Sequence, residues 1–226
     1  MKAIILAAGR GERLRPLTDI TPKPLLYAGK KRLIEYHLEN LARANITEVI
    51  INVSYKVEEI VQILSDGKKY GVNITYSVEQ PKALDTGGGI LNALPLLGNE
   101  PFLAVSSDIW TDYSFSNLLP NTHNLGDFLA HLLLVPNPEY NVNGDFGLHE
   151  NLLTNDNPIK FTYANIGVYS PLLFKDCKER IFSLASLLRA AIAQQKISGE
   201  LYTGQWTNVG TEKILNTLKK HLWQIR

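Results

Sequence analysis

Short apolar runs alternate with amphipathic segments through the first half of the chain. The segment 2–8 (KAIILAA) contains an unbroken apolar run of six residues, Ala3 to Ala8, which is typical of a strand buried on both faces of a parallel sheet. Residues 33–46 then carry apolar side chains at helical spacing, and residues 47–55 have the character of a second strand. Because strands and helices keep alternating up to residue 110, the pattern predicts parallel strands joined by crossover helices.

The remaining elements of this half follow the same rule. The sequence predicts a helix over residues 57–71 that stops near Gly67, a strand over 72–80, a helix over 88–97 and a strand over 101–110. The predicted fold class is α/β, a doubly wound, mostly parallel, Rossmann-like sheet between two layers of helices. Ligands of such sheets bind beyond the carboxyl ends of the strands. We therefore expect the segments AAGRG, TGGG and SSD, which follow strands, to meet at one edge.

The second half of the chain is less regular. Its predicted elements are a strand over residues 128–138 that ends at Pro136, a turn-rich hairpin over 143–158, a strand over 162–174, and helices over 183–195 and 211–225. No internal repeat, low-complexity tract or linker interrupts the sequence. We expect one domain over residues 1–226.

Composition and charge describe a globular protein without a strong overall field. The 226 residues are 45% apolar and 20% charged, and the net charge of +1 gives no general attraction to nucleic acid or to an anionic membrane. The one cysteine, Cys177, excludes an intrachain disulfide and a cysteine-rich zinc site. The N-terminal apolar run is shorter than the ~7–15 residues of a signal-peptide core, and no apolar stretch approaches the ~20 residues that cross a bilayer. A cytoplasmic location is expected.

The loop after the first predicted strand combines small residues with positive charge. The small residues are Ala7, Ala8, Gly9 and Gly11, and several cations follow them. Small residues allow backbone N–H groups to approach an anion closely. Two common phosphate loops are excluded, because Leu14 stands where the dinucleotide fingerprint has its third glycine and the Gly-Lys-Ser/Thr of the P-loop is missing. A tight turn with solvated arginines is the alternative interpretation.

Asp108 stands at the end of a predicted buried strand, PFLAVSSD. An unpaired carboxylate in such a position is costly, and a Mg²⁺ ion that bridges it to phosphate oxygens would remove that cost. Asp108 is therefore the candidate metal ligand, and a helix-capping aspartate is the alternative.

The opening segment LAAGRGERLRPLTDITPKPLL resembles the signature of the sugar-1-phosphate nucleotidylyltransferases, G-x-G-x-R-(Leu/Met)-x-P-(Leu/Met)-T followed by P-K-P. The matching positions are Gly9, Gly11, Arg13, Leu14, Pro16, Leu17, Thr18, Pro22, Lys23 and Pro24. Within that family, the segments LDTGGGILNALPLLG, WTDY, NGDFGL, SGELYTGQW and VGT most closely resemble the bacterial N-acetylmuramate 1-phosphate uridylyltransferases of cell-wall recycling. The resemblance extends over almost the whole chain.

The resemblance implies that a sugar 1-phosphate attacks the α-phosphorus of a nucleoside triphosphate and expels pyrophosphate. It implies phosphate contacts for Arg13 and Lys23, which with Asp108 are the expected catalytic residues. The expected nucleotide-binding residues are Ala7, Ala8, Gly9, Gly11, Glu79, Gly87 and Gly88. Gly88 would contact the base through its backbone, and Glu79 would lie near the pyrimidine edge. The resemblance favours UTP, and a purine nucleotide is the alternative.

The sugar side of the site is implied by shorter motifs. Asp145 in the NGDF turn and Asn165 in the NIG segment are expected to bind the sugar. Glu200, in SGELY, is expected either to contact the sugar or to cap local structure. The nucleotide-binding half would then be about residues 1–115, and the sugar-binding half about residues 116–226.

The expected cofactor is Mg²⁺, but the chain departs from the family at the metal. The second metal ligand of the family is the aspartate of a W-x-D-x-G-T motif, and here that position is Asn208, in WTNVGT. The residue before Asp108 is Ser107 instead of the usual glycine. Asp108 and Asn208 are the expected metal ligands, because an amide oxygen can still bind a hard cation and Mg²⁺ takes further oxygens from substrate phosphates.

Two alternatives remain beside uridylyl transfer to N-acetylmuramic acid 1-phosphate. One is transfer of a guanylyl or other nucleotidyl group to heptose, mannose or glucose 1-phosphate. The other is a nucleotide-sugar-binding protein whose catalysis is impaired by Asn208. The expected partners are a nucleoside triphosphate and a sugar 1-phosphate, with no nucleic acid and no membrane. The expected assembly is a monomer or a small homo-oligomer.

Overall fold

The apolar runs of the sequence form the strands of one continuous sheet. The computed structural model describes residues 1–120 and 125–224, and within those ranges nine strands share this sheet. In chain order the strands are β1 Lys2–Leu6, β2 Tyr27–Ala28, β3 Lys31–Arg32, β4 Glu48–Val53, β5 Asn73–Val78, β6 Phe102–Ser106, β7 Ile109–Thr111, β8 Ala130–Val135, β9 Phe146–His149, β10 Leu152–Thr154, β11 Lys160–Tyr169, β12 Ile197–Leu201 and β13 Trp206–Asn208. The helices are α1 Leu17–Ile20, α2 Leu33–Arg43, α3 Val57–Leu64, α4 Asp85–Leu97, α5 Leu184–Ala193 and α6 Glu212–Gln224.

The order of the strands in the main sheet is β5-β4-β1-β6-β11-β8-β12-β10-β9. The four strands of the first half, β5, β4, β1 and β6, pair in parallel. In the second half β8 and β12 are parallel, whereas β11, β10 and β9 pair antiparallel with their neighbours. The predicted α/β class is confirmed. The sheet as a whole is mixed, because tight turns such as that between β9 and β10 can join only antiparallel strands.

Helices cover both faces of the sheet, as predicted. Ala3 and Ile5 of β1 belong to the core beneath α2 and α3. Ile4, on the other face of the same strand, belongs to the core beneath α4 and α5. The unbroken apolar run of β1 follows from this double burial. Within the described ranges, no helix combines the length and apolarity needed to cross a membrane.

Several elements differ from their predicted bounds, and two of them lie near the carboxyl ends of the parallel strands. The predicted fourth strand is two strands, with Ser107 and Asp108 in the turn between β6 and β7. Helix α4 begins at Asp85, three residues before its predicted start at residue 88, so the whole glycine run lies inside the helix. The last helix is described to Gln224, and Ile225, at its predicted end, lies outside the described residues.

The C-terminal segment packs next to the turn that carries Asp108. Strand β13 pairs antiparallel with β7, and Asn208 lies opposite Ile109. Trp110, Val209 and Leu218 share a third apolar cluster with the first residue of α2, Leu33. This cluster holds β13 and α6 against the first half of the chain, although about a hundred residues of sequence intervene.

Candidate active site

A cavity of about 230 Å³ opens at the carboxyl ends of the four parallel strands β5, β4, β1 and β6. We call it the strand-end cavity. Its lining residues are Leu6, Ala8, Gly9, Gly11, Lys23, Pro24, Asn52, Glu79, Ala83, Asp85, Thr86, Ser106, Ser107 and Asp108. The three segments AAGRG, TGGG and SSD therefore meet at one edge of the sheet, as the strand pattern predicted.

The opening loop folds back over the segment that carries Lys23. Gly11 has a φ angle of +67°, and a Cβ atom there would lie 2.8 Å from the Thr18 side chain and 3.1 Å from Lys23 Cβ. The Thr18 hydroxyl donates a hydrogen bond of 2.9 Å to the Gly11 carbonyl. Only glycine suits both the backbone angle and the space. This fold brings Lys23 to the cavity wall.

Lys23 and Asp108 form an ion pair at the mouth of the strand-end cavity. Lys23 Nζ lies 2.6 Å from Asp108 Oδ2, and the two side chains are 10% and 26% exposed. The carboxylate sits in the turn after β6, where the backbone N–H of Ser107 bonds to the Leu6 carbonyl at 3.0 Å. The sequence predicted both residues, and the structure brings them together.

Asn52 connects the opening loop to Glu79 and was missed by the sequence analysis. Its Oδ1 atom accepts a 2.7 Å hydrogen bond from the Ala7 backbone N–H, and its Nδ2 group donates to Glu79 Oε1 at 2.6 Å. The other Glu79 oxygen accepts from the Leu84 backbone N–H at 2.7 Å. Burial raises the pKa of this carboxyl group. An asparagine in the apolar strand EVIINV was the available signal.

This network changes the roles of two predicted nucleotide-binding residues. Ala7 is buried and its N–H is already bonded to Asn52, so the free backbone at the cavity wall belongs to Ala8 and Gly9. Glu79 is only 2% exposed, and its oxygens hold Asn52 and the backbone of Leu84. Ala7 therefore shapes the cavity from behind its surface, whereas Glu79 lines the cavity with its carboxylate oxygens engaged in hydrogen bonds.

The glycine run of α4 packs against the segment that leads into α5. The N–H groups of Gly87 and Gly88 both donate to the Phe182 carbonyl, at 3.0 and 3.2 Å. A Cβ atom on Gly88 would lie 2.1 Å from the Arg180 carbonyl oxygen. Leu184 N–H donates to the Thr86 hydroxyl at 3.1 Å. The N–H of Gly88, for which the resemblance implied a backbone contact with the base, is thus bonded to another segment, and Thr86 is the residue of this motif that lines the cavity.

Arg13 is exposed and does not line the strand-end cavity; its guanidinium lies next to the C-terminal segment. A Cβ atom on Gly210 would lie 3.4 Å from an Arg13 guanidinium nitrogen, and Arg13 makes no ion pair within residues 1–120 and 125–224. Tyr140 is a second missed residue. Partial desolvation and the carboxylate of Asp108 raise the pKa of Tyr140 to about 12, while Arg13 acts in the opposite direction. Tyr140 thus lies within electrostatic range of both.

Asn208 lies beside Asp108 in the β7–β13 pair. The Val209 N–H donates to the Asp108 carbonyl at 2.8 Å, which fixes the two segments side by side. The Asn208 Oδ1 atom is buried and has no hydrogen-bond partner in the described part of the chain. No cluster of three His, Cys, Asp or Glu side chains occurs there. An unpartnered amide oxygen, on a residue whose neighbour Val209 bonds to the Asp108 backbone, is a ligand that a hard cation accepts.

A second cavity, of about 370 Å³, lies on the other side of Asn208, at a β-bulge of β11. We call it the bulge cavity. Its lining residues are Tyr140, Asn141, Asp145, Phe146, Thr162, Tyr163, Asn165, Ala185, Arg189, Trp206 and Asn208. Asn165 stands at the bulge with a φ angle of +58°, between the register positions Tyr163 and Gly167. The predicted residues Asp145, Asn165 and Asn208 are therefore neighbours.

Glu200 lines neither of these two cavities. Its carboxylate accepts a hydrogen bond from the Tyr113 hydroxyl and lies 3.7 Å from the His131 ring. The structure thus favours the alternative of the two expectations for Glu200, a structural role. The nearby His131 ring and the hydrogen bond from Tyr113 lower the pKa of the Glu200 carboxyl group, although burial opposes them.

A cleft larger than the strand-end cavity lies elsewhere on the molecule. This cleft, of about 800 Å³, lies between α2, β7 and α6, lined by Lys30, Tyr36, Trp110 and Trp223 among others. It contains none of the strand-end residues. The smaller strand-end cavity combines the glycine loop, the Lys23–Asp108 pair and parallel strand ends, and we place the active site there on that chemistry.

Comparison with known proteins identifies the family of this chain. A family model described as nucleotidyl transferase matches residues 2–150. The chain belongs to this family. The matched region of this nucleotidyl transferase contains the four strands that form the strand-end cavity. The resemblance drawn from the opening loop is confirmed.

Two curated relatives of this nucleotidyl transferase cover nearly all of its chain. The N-acetylmuramate alpha-1-phosphate uridylyltransferase of Neisseria meningitidis serogroup B is 44% identical over 221 residues, which are 93% of this chain and 94% of the relative. The mannose-1-phosphate guanyltransferase of Schizosaccharomyces pombe is 31% identical over 98% of this chain and 66% of its own.

Solved structures show the same fold at lower identity. A Bacillus anthracis protein assigned as a glucose-1-phosphate thymidylyltransferase, solved with sucrose, has a TM-score of 0.89 at 22% identity and covers 100% of this chain and 96% of its own. A UDP-glucose pyrophosphorylase complexed with UDP-glucose has a TM-score of 0.81 at 17% identity, with coverage of 100% and 99%. At these identities the likeness concerns the nucleotidyl transferase fold.

Proposed function

We propose that this nucleotidyl transferase transfers the uridylyl group of UTP to N-acetylmuramic acid 1-phosphate, giving the UDP-sugar and pyrophosphate. The observation that carries the reaction type is the Lys23–Asp108 pair at the mouth of a glycine-lined cavity. The relative of 44% identity, aligned over 93% of the chain, supports the choice of base and sugar.

In the proposed reaction an oxygen of the sugar phosphate attacks the α-phosphorus of UTP. A new phosphorus–oxygen bond forms as the bond between the α-phosphorus and the bridging oxygen breaks, and pyrophosphate leaves with that electron pair. The nucleophile is already an anion, so the protein has no proton to remove. Its tasks are in-line positioning and neutralisation of charge.

The cations of the opening segment serve that neutralisation. Lys23 is buried to 8% exposure and gives a compact charge for the α-phosphate. Arg13 is exposed and without an ion pair in the described ranges, so its fork of N–H groups is available to the terminal phosphates. The backbone of Ala8, Gly9 and Gly11 lines the same cavity and accommodates the nucleotide closely.

We propose that Asp108 and Asn208 hold a Mg²⁺ ion together with phosphate oxygens. The unpartnered, buried Oδ1 atom of Asn208 supports this assignment. When bound, Mg²⁺ neutralises phosphate charge and orients the oxygens to which it binds. Asn208 supplies an oxygen without a charge, so the free enzyme would hold the ion weakly and the complex with UTP would hold it better.

The bulge cavity is the proposed sugar site, with Asp145 and Asn165 as its polar contacts. The Tyr163 N–H holds the Asp145 carboxylate at 2.8 Å, which fixes its orientation toward a sugar. In this scheme residues 1–115 form the nucleotide-binding half and residues 116–226 the sugar-binding half of one domain. We propose a cytoplasmic enzyme of cell-wall recycling, a monomer or a small homo-oligomer.

The test is pyrophosphate release with Mg²⁺, for UTP, GTP, CTP, ATP and dTTP, each paired with the 1-phosphates of N-acetylmuramic acid, N-acetylglucosamine, mannose and glucose. Release confined to UTP and N-acetylmuramic acid 1-phosphate supports the proposal. Release with GTP and mannose 1-phosphate, which the fission-yeast relative favours, would replace the substrates. Bound nucleotide without release from any pair would favour a binding protein impaired at Asn208. A Lys23→Met sample controls for contaminating activity.

A further inference from the structure

We propose that Arg189 determines sugar specificity by binding a carboxylate group on the sugar 1-phosphate. This inference rests on the proposed function and narrows its substrate to an acidic sugar. Arg189 lies in the middle of α5 and lines the bulge cavity together with Asp145 and Asn165.

The bulge cavity has one negative and one positive side chain in its lining, and they differ in the partners they have within the protein. Its charged lining residues are Asp145 and Arg189. The Asp145 carboxylate accepts two hydrogen bonds on the same oxygen, Oδ2, from the Tyr163 N–H at 2.8 Å and from Asn141 Nδ2 at 3.2 Å. Arg189, in contrast, has no ion pair anywhere in residues 1–120 and 125–224. A substrate anion would be the natural partner of that guanidinium.

The guanidinium is held in place without using its hydrogen-bond donors. Its central carbon lies 5.2 Å from the centre of the Phe146 ring, which is itself buried to 1% exposure. A cation above an aromatic face is attracted by the ring, and its in-plane N–H groups stay free for an acceptor. Arg189 is thus oriented and still open to a ligand.

Helix α5 gives this side chain a fixed base. Leu188, next to it, is fully buried at 0% exposure, and the Ser183 hydroxyl caps the helix by accepting from the Ala185 N–H. The Arg189 carbonyl accepts a 3.0 Å hydrogen bond from Asn155 Nδ2, which joins the helix to the segment after β10. A side chain on a rigid element discriminates between ligands better than one on a loop.

The chemistry of the proposed substrate matches this arrangement. N-acetylmuramic acid 1-phosphate carries a carboxylate on its lactyl ether, and N-acetylglucosamine 1-phosphate is the same sugar without that group. A guanidinium can bind a carboxylate through two parallel N–H···O bonds. The phosphate of the sugar would lie toward Asn208, at the other end of the cavity lining, so that Arg189 contacts the lactyl group and not the reacting atoms.

The experiment compares kcat/KM for these two sugar 1-phosphates, with UTP, in wild type, Arg189→Gln and Arg189→Lys. For the acidic sugar we expect Arg189→Gln to lower kcat/KM by roughly 10- to 100-fold, mostly through KM, with partial rescue by lysine. The neutral sugar should change less than about threefold. Arg43→Gln, which removes an arginine that is 68% exposed and outside the cavity, is the matched control and should change neither.

Equal losses for both sugars in Arg189→Gln, or no loss for either, would overturn the inference. If the wild type turns over neither sugar, the proposed function fails, and calorimetric binding of N-acetylmuramic acid 1-phosphate to the same variants decides the role of Arg189. Binding that is lost in Arg189→Gln supports that role. Equal binding in wild type and variant, or none to the wild type, overturns it.

Discussion

The ammonium group of Lys23 lies 2.6 Å from Asp108 Oδ2, although 85 positions separate the two residues in sequence. The opening loop and the turn after β6 bring them together at the carboxyl ends of β1 and β6, which are paired strands. In the free enzyme the cation compensates a carboxylate that would otherwise be partly buried and unpaired. Entry of a metal and a triphosphate would give both groups new partners at once.

Loss of Lys23 should remove turnover and leave the fold intact. We expect Lys23→Met to lower kcat by roughly 10²–10³-fold, the size expected when a group that stabilises transition-state charge is removed. Lys31→Met is a matched control, because it breaks a 2.5 Å ion pair with Glu39 outside the cavity. The measurement is pyrophosphate release together with thermal unfolding. Similar losses of rate in both variants would contradict a catalytic role for Lys23.

Asn208→Asp should strengthen binding of Mg²⁺. A second carboxylate beside Asp108 adds the charge that the amide lacks, so we expect half-maximal activity at roughly tenfold lower Mg²⁺ and a higher kcat. Without metal the two carboxylates repel each other, and the variant should melt below wild type and gain more stability when Mg²⁺ is added. Unchanged Mg²⁺ dependence in both assays would show that Asn208 is not at the metal.

Alanine substitutions at Gly88 and Gly9 should affect stability differently, because only Gly88 packs tightly against another segment. In Gly88→Ala the new methyl group would meet the Arg180 carbonyl oxygen at 2.1 Å, whereas nothing lies within 4 Å of a Cβ atom on Gly9. We expect Gly88→Ala to lower the free energy of unfolding by about 1–3 kcal/mol and Gly9→Ala to leave it unchanged. Urea unfolding measures both. Wild-type stability in Gly88→Ala would mean that the segment at Arg180 moves aside freely.

His37 should make stability depend on pH below neutrality. It is 2% exposed and bonds to the Ile109 carbonyl at 2.8 Å, and burial lowers its pKa to about 4 from 6.5. A depressed pKa means that the unfolded chain takes up the proton first, so stability is full above pH 6.5 and falls as the pH drops toward 4. Over that range, protonation of His37 in the unfolded chain lowers the free energy of unfolding by about 3 kcal/mol.

The check on His37 is urea unfolding at several pH values in wild type and His37→Gln. Glutamine can still donate to the Ile109 carbonyl and does not titrate in this range. The difference in unfolding free energy between the two proteins should therefore narrow steadily from pH 7 to pH 4. A constant difference would show that His37 is protonated in the folded state or that other groups dominate.

Local sequence was sufficient for the features that depend on neighbouring residues. The apolar run of β1 predicted a strand buried on both faces, and the helical spacing of apolar residues predicted α2. Both patterns are visible in consecutive positions of the sequence. The opening motif predicted Lys23 and Arg13, and strand polarity predicted that Asp108 would share their edge. The hairpin of β9 and β10 was also predicted, from its turn residues.

The features that were missed depend on contacts between distant segments. Glycine disfavours helix, so the helix was predicted to begin only at residue 88, but hydrogen bonds from Gly87 and Gly88 to the Phe182 carbonyl stabilise an earlier first turn of α4. Asn52 belongs to the site only because Ala7 and Glu79 lie on either side of it. The side of the sheet on which Glu200 lies could not be deduced from SGELY without its strand neighbours.

The hydrogen bonds that join the start of α4 to the segment before α5 have a kinetic consequence. Thr86 lines the strand-end cavity and accepts from Leu184, and the helix that follows Leu184 carries Ala185 and Arg189 into the bulge cavity. A nucleotide that shifts one wall therefore shifts the other, and the substrates should add in order, UTP before the sugar. Titration of the sugar phosphate with and without a non-hydrolysable UTP analogue should give different dissociation constants, and Thr86→Ala should bring them together. Equal constants in the wild type would mean random, independent addition.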